Sequence, residues 1–82
     1  SQLGAERREE LSKLVKKSSE NFRIQVRANR DDAIKKLRDA EAKKEASEDE
    51  TFKAKEKIQK AVDEANKQIE SIVENKLKEL AE

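Results

Sequence analysis

The sequence predicts an all-α fold: one long antiparallel helical hairpin, with helices over about residues 5–44 and 48–81. The hairpin is expected to complete a three- or four-helix bundle by self-association. Three observations carry this. Ala, Glu, Lys, Leu and Arg dominate, Pro is absent and the one Gly is Gly4, a composition that suits long helices or a coiled coil rather than a sheet. The apolar residues recur at spacings of three and four. A helix-start pattern, SEDE at 47–50, falls in the gap between two apolar stripes.

The first helix follows from Leu11, Val15, Ser18, Phe22, Val26, Ala33, Leu37 and Ala40, a stripe that drifts at helical spacing with Leu14 alongside. Strand alternation would need a period of two, which is not present. The second follows from Ile58, Val62, Ala65, Ile69, Ile72, Val73, Leu77 and Leu80. Between them Ser47 and Glu50 form a capping box, in which the hydroxyl accepts from an otherwise orphan amide and the carboxylate reaches back. Glu48, Asp49 and Glu50 also set negative charge against the positive end of the second helix, while Lys43 and Lys44 suit the end of the first. A tight turn is therefore expected near residues 44–47, and two rods of about 50–60 Å each must run antiparallel. Residues 1–82 are expected to form a single helical-hairpin domain.

Such a hairpin covers its apolar stripes poorly. Ten of its apolar residues are Ala, which bury little area, so a third helix or a second copy is expected to cover the rest. High charge content could also mean disorder, but net charge is only +1 and the apolar pattern is periodic.

Several function classes fall away. Cys and His are absent, which removes thiolate and imidazole metal ligands, disulfides and Cys or His nucleophiles and bases. No apolar run could span a bilayer and no signal-peptide pattern is present, so a cytoplasmic protein is expected. Asp31–Asp32 and Glu48–Asp49–Glu50 could be read as acid–base groups or metal ligands. Adjacent carboxylates on a helix diverge by about 100°, however, and do not converge on one ion. With no nucleophile–base pair and no Gly-rich phosphate loop, the chain is expected not to be an enzyme and to need no cofactor.

Charge points to a partner. Residues 1–44 carry 13 Lys+Arg against 8 Asp+Glu, a balance of +5, and residues 45–82 carry 7 against 11, a balance of −4. All six arginines, Arg7, Arg8, Arg23, Arg27, Arg30 and Arg38, lie in the first half. Planar guanidinium forks suit bidentate contact with phosphate better than ammonium groups do. From composition alone, Arg23, Arg27 and Arg30 read as a solvated face pairing with Glu20 and Asp31, worth about 0.3–0.5 kcal/mol a pair.

Four stretches shift that balance. LGAERREELSKLVKK, FRIQVRANRDDAIKKL, KEASEDE and IESIVENKLKELAE, in that order, resemble the C-terminal two helices of the bacterial ribosome recycling factor family. The family pattern runs through an L-T-x-E-R-R opening, a V-R-N-x-R-R-D-A centre, a K-x-x-S-E-D turn and a K-x-x-E-L ending. The match covers residues 3–82. Any one piece would be weak in a Lys/Glu-rich helix; four with consistent spacing are not.

The resemblance implies an L-shaped parent whose long arm is a three-helix bundle, with a small β-rich domain inserted between the first and second helices. It implies a role in translation: splitting the post-termination ribosome together with elongation factor G, with bundle arginines on large-subunit ribosomal RNA. Carried over, Arg27 and Arg30 match the central motif, Arg23 an arginine just upstream, and Arg7 and Arg8 the opening pair. Asp31 stands where an arginine is usual, removing one positive charge. Gly4 replaces the usual capping Thr, though Gly is tolerated at an N-cap. The first helix and inserted domain are not among these 82 residues, by truncation, incomplete reading frame or design, so the chain is expected to be inactive in recycling alone. Phe22 and Phe52 could stack on bases, but their positions near the stripes make them expected core anchors. The alternative function is a helical-hairpin or coiled-coil protein–protein interaction module with no RNA role; either is compatible with a dimer.

Overall fold

The computed structural model describes residues 3–82; residues 1 and 2 of the expected 1–82 unit lie outside it. Helix α1 runs Ala5–Ala42 and helix α2 runs Glu48–Ala81, of 38 and 34 residues. They pack antiparallel along their length in a slab of 60 × 15 × 9 Å. The two predicted rods, their direction and their length are all present.

α1 opens on Gly4, whose extended backbone (φ −68°, ψ 158°) lets its carbonyl accept from the Arg8 amide at 3.0 Å. Gly4 offers no side-chain cap. At the other end α1 stops at Ala42, two residues before the expected boundary. The reason is Lys44, which takes a left-handed conformation at φ 60°. That reversal directs the Lys44 amide to Glu41 O at 3.0 Å and the Glu45 amide to Ala40 O at 2.9 Å, the paired bonds of a Schellman closure. The position usually calls for Gly because a Cβ crowds the backbone there; here Lys fills it.

α2 starts as the sequence requires. Ser47 is extended, its hydroxyl accepts from the Glu50 amide at 3.0 Å, and its own amide donates to Glu50 Oε1 at 3.0 Å. Both halves of the capping box are made. Thr51 sits beneath this turn, 2% exposed, and its hydroxyl donates to Ser47 O at 2.9 Å. Glu50 is held below the ordinary glutamate value of 4.5, first because the Ser47 amide donates to its carboxylate and then through the Ser47 hydroxyl.

The seam between the helices is apolar and half-buried. Leu11, Val15, Val26, Ala33, Leu37 and Ala40 of α1 meet Ile58, Val62, Ala65, Ile69, Val73, Leu77 and Leu80 of α2. Among the described residues no hydrophobic side chain is fully buried. Two expectations are corrected here. Phe22 is 64% exposed and Phe52 is 62% exposed, so neither anchors this seam; each sits at the edge of its stripe, where a two-helix layer has nothing to cover it. Ser18 and Leu14 are likewise exposed.

The two faces of the slab differ. On one, Leu14 and Phe22 of α1 and Ile69, Ile72 and Val73 of α2 line an open groove of about 330 Å³. Nearer the turn a shallower depression of about 290 Å³ is lined by Val26, Asn29, Arg30 and Ala33 of α1 and by Ile58, Ala61, Val62 and Ala65 of α2. Leu14, Ser18, Phe22, Gln25 and Asn29 follow one another at three- and four-residue steps, so groove and depression share a face. The other face carries Arg23 and Arg27, with Arg30 between, bordering both the depression and that face.

Two predictions concern the turn. Replacing Lys44 by Gly relieves the left-handed strain and raises stability by about 0.5–1 kcal/mol, whereas Ser47→Ala removes the cap and lowers it by about 1 kcal/mol; denaturant titration followed by circular dichroism measures both. Because Glu50 has a depressed pKa when folded, its stabilising effect is present above 4.5 and is lost as pH falls through the folded value. Glu50→Gln is therefore expected to flatten the acid limb of a stability-versus-pH curve and to leave its slope between pH 6 and 8 unchanged.

Candidate functional site

Arg23, Arg27 and Arg30 follow one another at steps of four and three, which puts them in one row on a helix. The row lies on the flank of α1 away from Phe22 and Leu14. The antiparallel register brings a second row up to it from α2, Gln59, Asp63 and Asn66, also at steps of four and three. Together the six residues line a shallow cleft of about 240 Å³ astride the seam residues Val26 and Val62.

The three guanidinium groups are not equivalent. Arg27 is exposed, and Arg23 is half-buried. Neither makes an ion pair or side-chain hydrogen bond among the described residues. Arg30 is different: its Nε and Nη2 donate to Asp31 Oδ1 at 3.1 and 2.9 Å, with its side chain 32% exposed. Of the pairings with Glu20 and Asp31 that composition alone suggests, this is the one made. Asp31, standing where an arginine is usual in the resembling pattern, both removes a positive charge and engages a neighbouring one. A guanidinium has five N–H donors, so the pair leaves Arg30 three for a further acceptor.

Arg7 and Arg8 are not brought to this cleft. Arg8 lies 15 residues before Arg23, about 22 Å along the helix. Arg7 pairs with Glu10 at 3.2 Å, and Arg8 Nη1 donates to Leu3 O at 2.9 Å. Their present contacts tie down the first turns of α1.

The α2 side of the cleft was not singled out from sequence. Asn66 Oδ1 is a buried acceptor without a hydrogen-bond partner, on the same cleft as the three guanidinium groups. The signal that finds it is the turn itself. Folding the chain between 42 and 48 places residues at equal height when their numbers sum to about 90, which pairs Arg23 with Asn66, Arg27 with Asp63 and Arg30 with Gln59. Among the described residues no group of three or more acidic side chains is placed to hold a metal ion, and no helix is long and apolar enough to cross a membrane.

A long helical hairpin with one open apolar face and one arginine-lined cleft defines a class, the two-helix element of a helical bundle. The chain belongs to the ribosome recycling factor family, whose sequence pattern matches residues 1–80. It is 45% identical over 80 residues to the ribosome-recycling factor of Coprothermobacter proteolyticus, covering 98% of this chain and 43% of that one. The corresponding proteins of Syntrophobacter fumaroxidans and Streptococcus mutans are 44% and 45% identical over the same length and coverage. The chain thus spans less than half the length of these relatives. No solved structure gives a significant match to it.

Because Arg27 is exposed and makes no bond to other side chains, Arg27→Ala is expected to change stability by no more than about 0.5 kcal/mol. Thermal unfolding of the variant beside the parent checks this.

Proposed function

We propose that this chain is a ribosome-binding element of the recycling machinery, and that Arg23, Arg27 and Arg30 contact the phosphate backbone of large-subunit ribosomal RNA. The observation that supports it best is the convergence of the three guanidinium groups on one cleft, with Arg27 free of any carboxylate partner. Family membership supplies the partner: the curated relatives carry the name ribosome-recycling factor.

The proposed mechanism is charge-assisted contact rather than base reading. Guanidinium forks donate to phosphate oxygens and release counterions, so affinity falls steadily as salt rises. Structured RNA is then recognised by shape and backbone. Arg7 and Arg8 are secondary contacts in this scheme, since an acceptor on RNA must compete with Glu10 and the Leu3 carbonyl for them. None of these steps calls for catalysis or a cofactor.

The 82 residues by themselves are proposed to bind ribosomes weakly and not to separate the subunits. In the resembling family, engagement of elongation factor G and the splitting step fall to an inserted domain outside these residues. A second reading, a protein–protein module with no RNA role, draws support from the open Phe22 groove.

A salt series of binding to purified large subunits separates the two. Arg27→Ala and Arg30→Ala are each expected to weaken binding about tenfold or more at low salt and to reduce the slope of log affinity against log salt by about one. Asp31→Asn, which releases Arg30, is expected to strengthen binding. Parent and variants that bind equally weakly would favour the protein–protein module.

A further inference from the structure

We propose that the cleft takes the sugar–phosphate edge of an A-form RNA helix, with phosphates on the arginine wall and ribose 2′-hydroxyls donating to Asp63 and Asn66 on the α2 wall. This rests on the phosphate contacts proposed above and adds a second group that the ligand must present.

The two walls have opposite hydrogen-bonding character. Guanidinium groups only donate, so Arg23, Arg27 and Arg30 call for acceptors. Across from them, at equal height, Asn66 faces Arg23 and Asp63 faces Arg27. A carboxylate only accepts. Asp63 Oδ1 takes one bond, from Gln59 Nε2 at 2.8 Å, which holds the carboxylate against the wall and leaves Oδ2 open. Asn66 Oδ1 is a buried acceptor with no hydrogen-bond partner, a state that costs stability until a donor arrives. Its amide turns about a soft terminal torsion, so a donor entering the cleft can claim it.

The walls do not close on each other. Arg23 and Arg27 share the cleft with Asp63 and Asn66, yet neither pairs with them among the described residues. A ligand that bridges the walls has to accept on one side and donate on the other. A phosphate diester accepts only, and a carboxylate across from Arg27 would weaken its binding. A ribonucleotide strand carries both groups in every repeat, a phosphate and a 2′-hydroxyl that can donate. A deoxyribonucleotide strand lacks the second. The cleft is shallow, at about 240 Å³, which suits the wide, shallow minor-groove side of an A-form duplex, where 2′-hydroxyls are displayed.

Fluorescence anisotropy on the 82-residue chain at low salt tests this with three duplexes of one sequence: RNA, 2′-O-methyl RNA and DNA. The 2′-O-methyl duplex keeps the A form and the 2′ oxygen but has no hydroxyl to donate, so it separates the hydroxyl from helix shape. The parent is expected to bind RNA at least about fivefold tighter than either of the others. Asp63→Ala and Asn66→Ala lie at exposed and half-buried positions of α2, where alanine favours helix. Each is expected to keep its helical circular dichroism and to lower the preference for RNA at least about threefold.

The outcomes separate this proposal from the one beneath it. Three duplexes that bind alike, all weakened by Arg27→Ala, would leave the phosphate contacts standing and overturn the 2′-hydroxyl contacts. An Arg27→Ala variant that binds every duplex like the parent would remove the phosphate contacts as well. If Asp63→Ala tightens all three duplexes equally, Asp63 is only a counter-charge to Arg27 and the proposal fails. It fails too if the parent binds no RNA duplex at about 1 mM.

Discussion

The hairpin is held by one apolar seam. Every ion pair seen among the described residues joins neighbours on the same helix, such as Lys13 with Glu9, Lys36 with Asp32 and Lys53 with Asp49. The side-chain hydrogen bonds, Gln25 to Asn29 and Gln59 to Asp63 among them, are equally local. Each helix therefore satisfies its polar groups by itself, and attraction between helices rests on Leu, Ile, Val and Ala side chains that remain half in water. Exposed intrahelical pairs contribute only tenths of a kcal/mol each. Without the seam, nothing among these contacts would bring α1 beside α2.

That dependence explains why the turn is built with such care. Hydrophobic contact is non-directional and would tolerate sliding along the seam. Register has to come from the connection, where the Lys44 reversal, the paired closing bonds of α1 and the Ser47–Glu50 box fix the exit of one helix and the entry of the next. Thr51, buried beneath, ties the first turn of α2 to Ser47. A shift of one residue in this connection would rotate the α2 row away from the arginines and dissolve the cleft. Local chemistry at residues 43–51 thus sets side-chain geometry near Arg27, more than 20 Å away along the rod.

The legible and illegible parts divide on physical lines. The Ser47 box could be read because it depends on residues three apart. Leu11, Val15, Ile58 and Val62 could be read as seam because helical periodicity is local too. Lys44 could not, since a left-handed turn is normally flagged by Gly or Asn and here the sequence has neither. Phe22 and Phe52 misled because apolar character reports a preference for burial, not the presence of a cover. The Arg30–Asp31 pair was partly visible, as one possibility among the helical neighbours, but which carboxylate Arg30 would choose depended on its side chain leaning towards the seam. Asn66 gave no signal of its own; it matters only because it lies across from Arg23.

By itself the sequence determined the two helices, their direction, the cap that starts the second, the family and the concentration of guanidinium groups in one helix. These follow from interactions spanning a few residues or from pattern along the chain. Only the tertiary structure decided which side of the seam each side chain takes, that Arg27 stands clear while Arg30 leans on Asp31, and that the slab has one greasy face and one cationic one. Those outcomes depend on the rotation of one rod against another. That angle is set by packing between residues up to some sixty positions apart, and no local pattern encodes it.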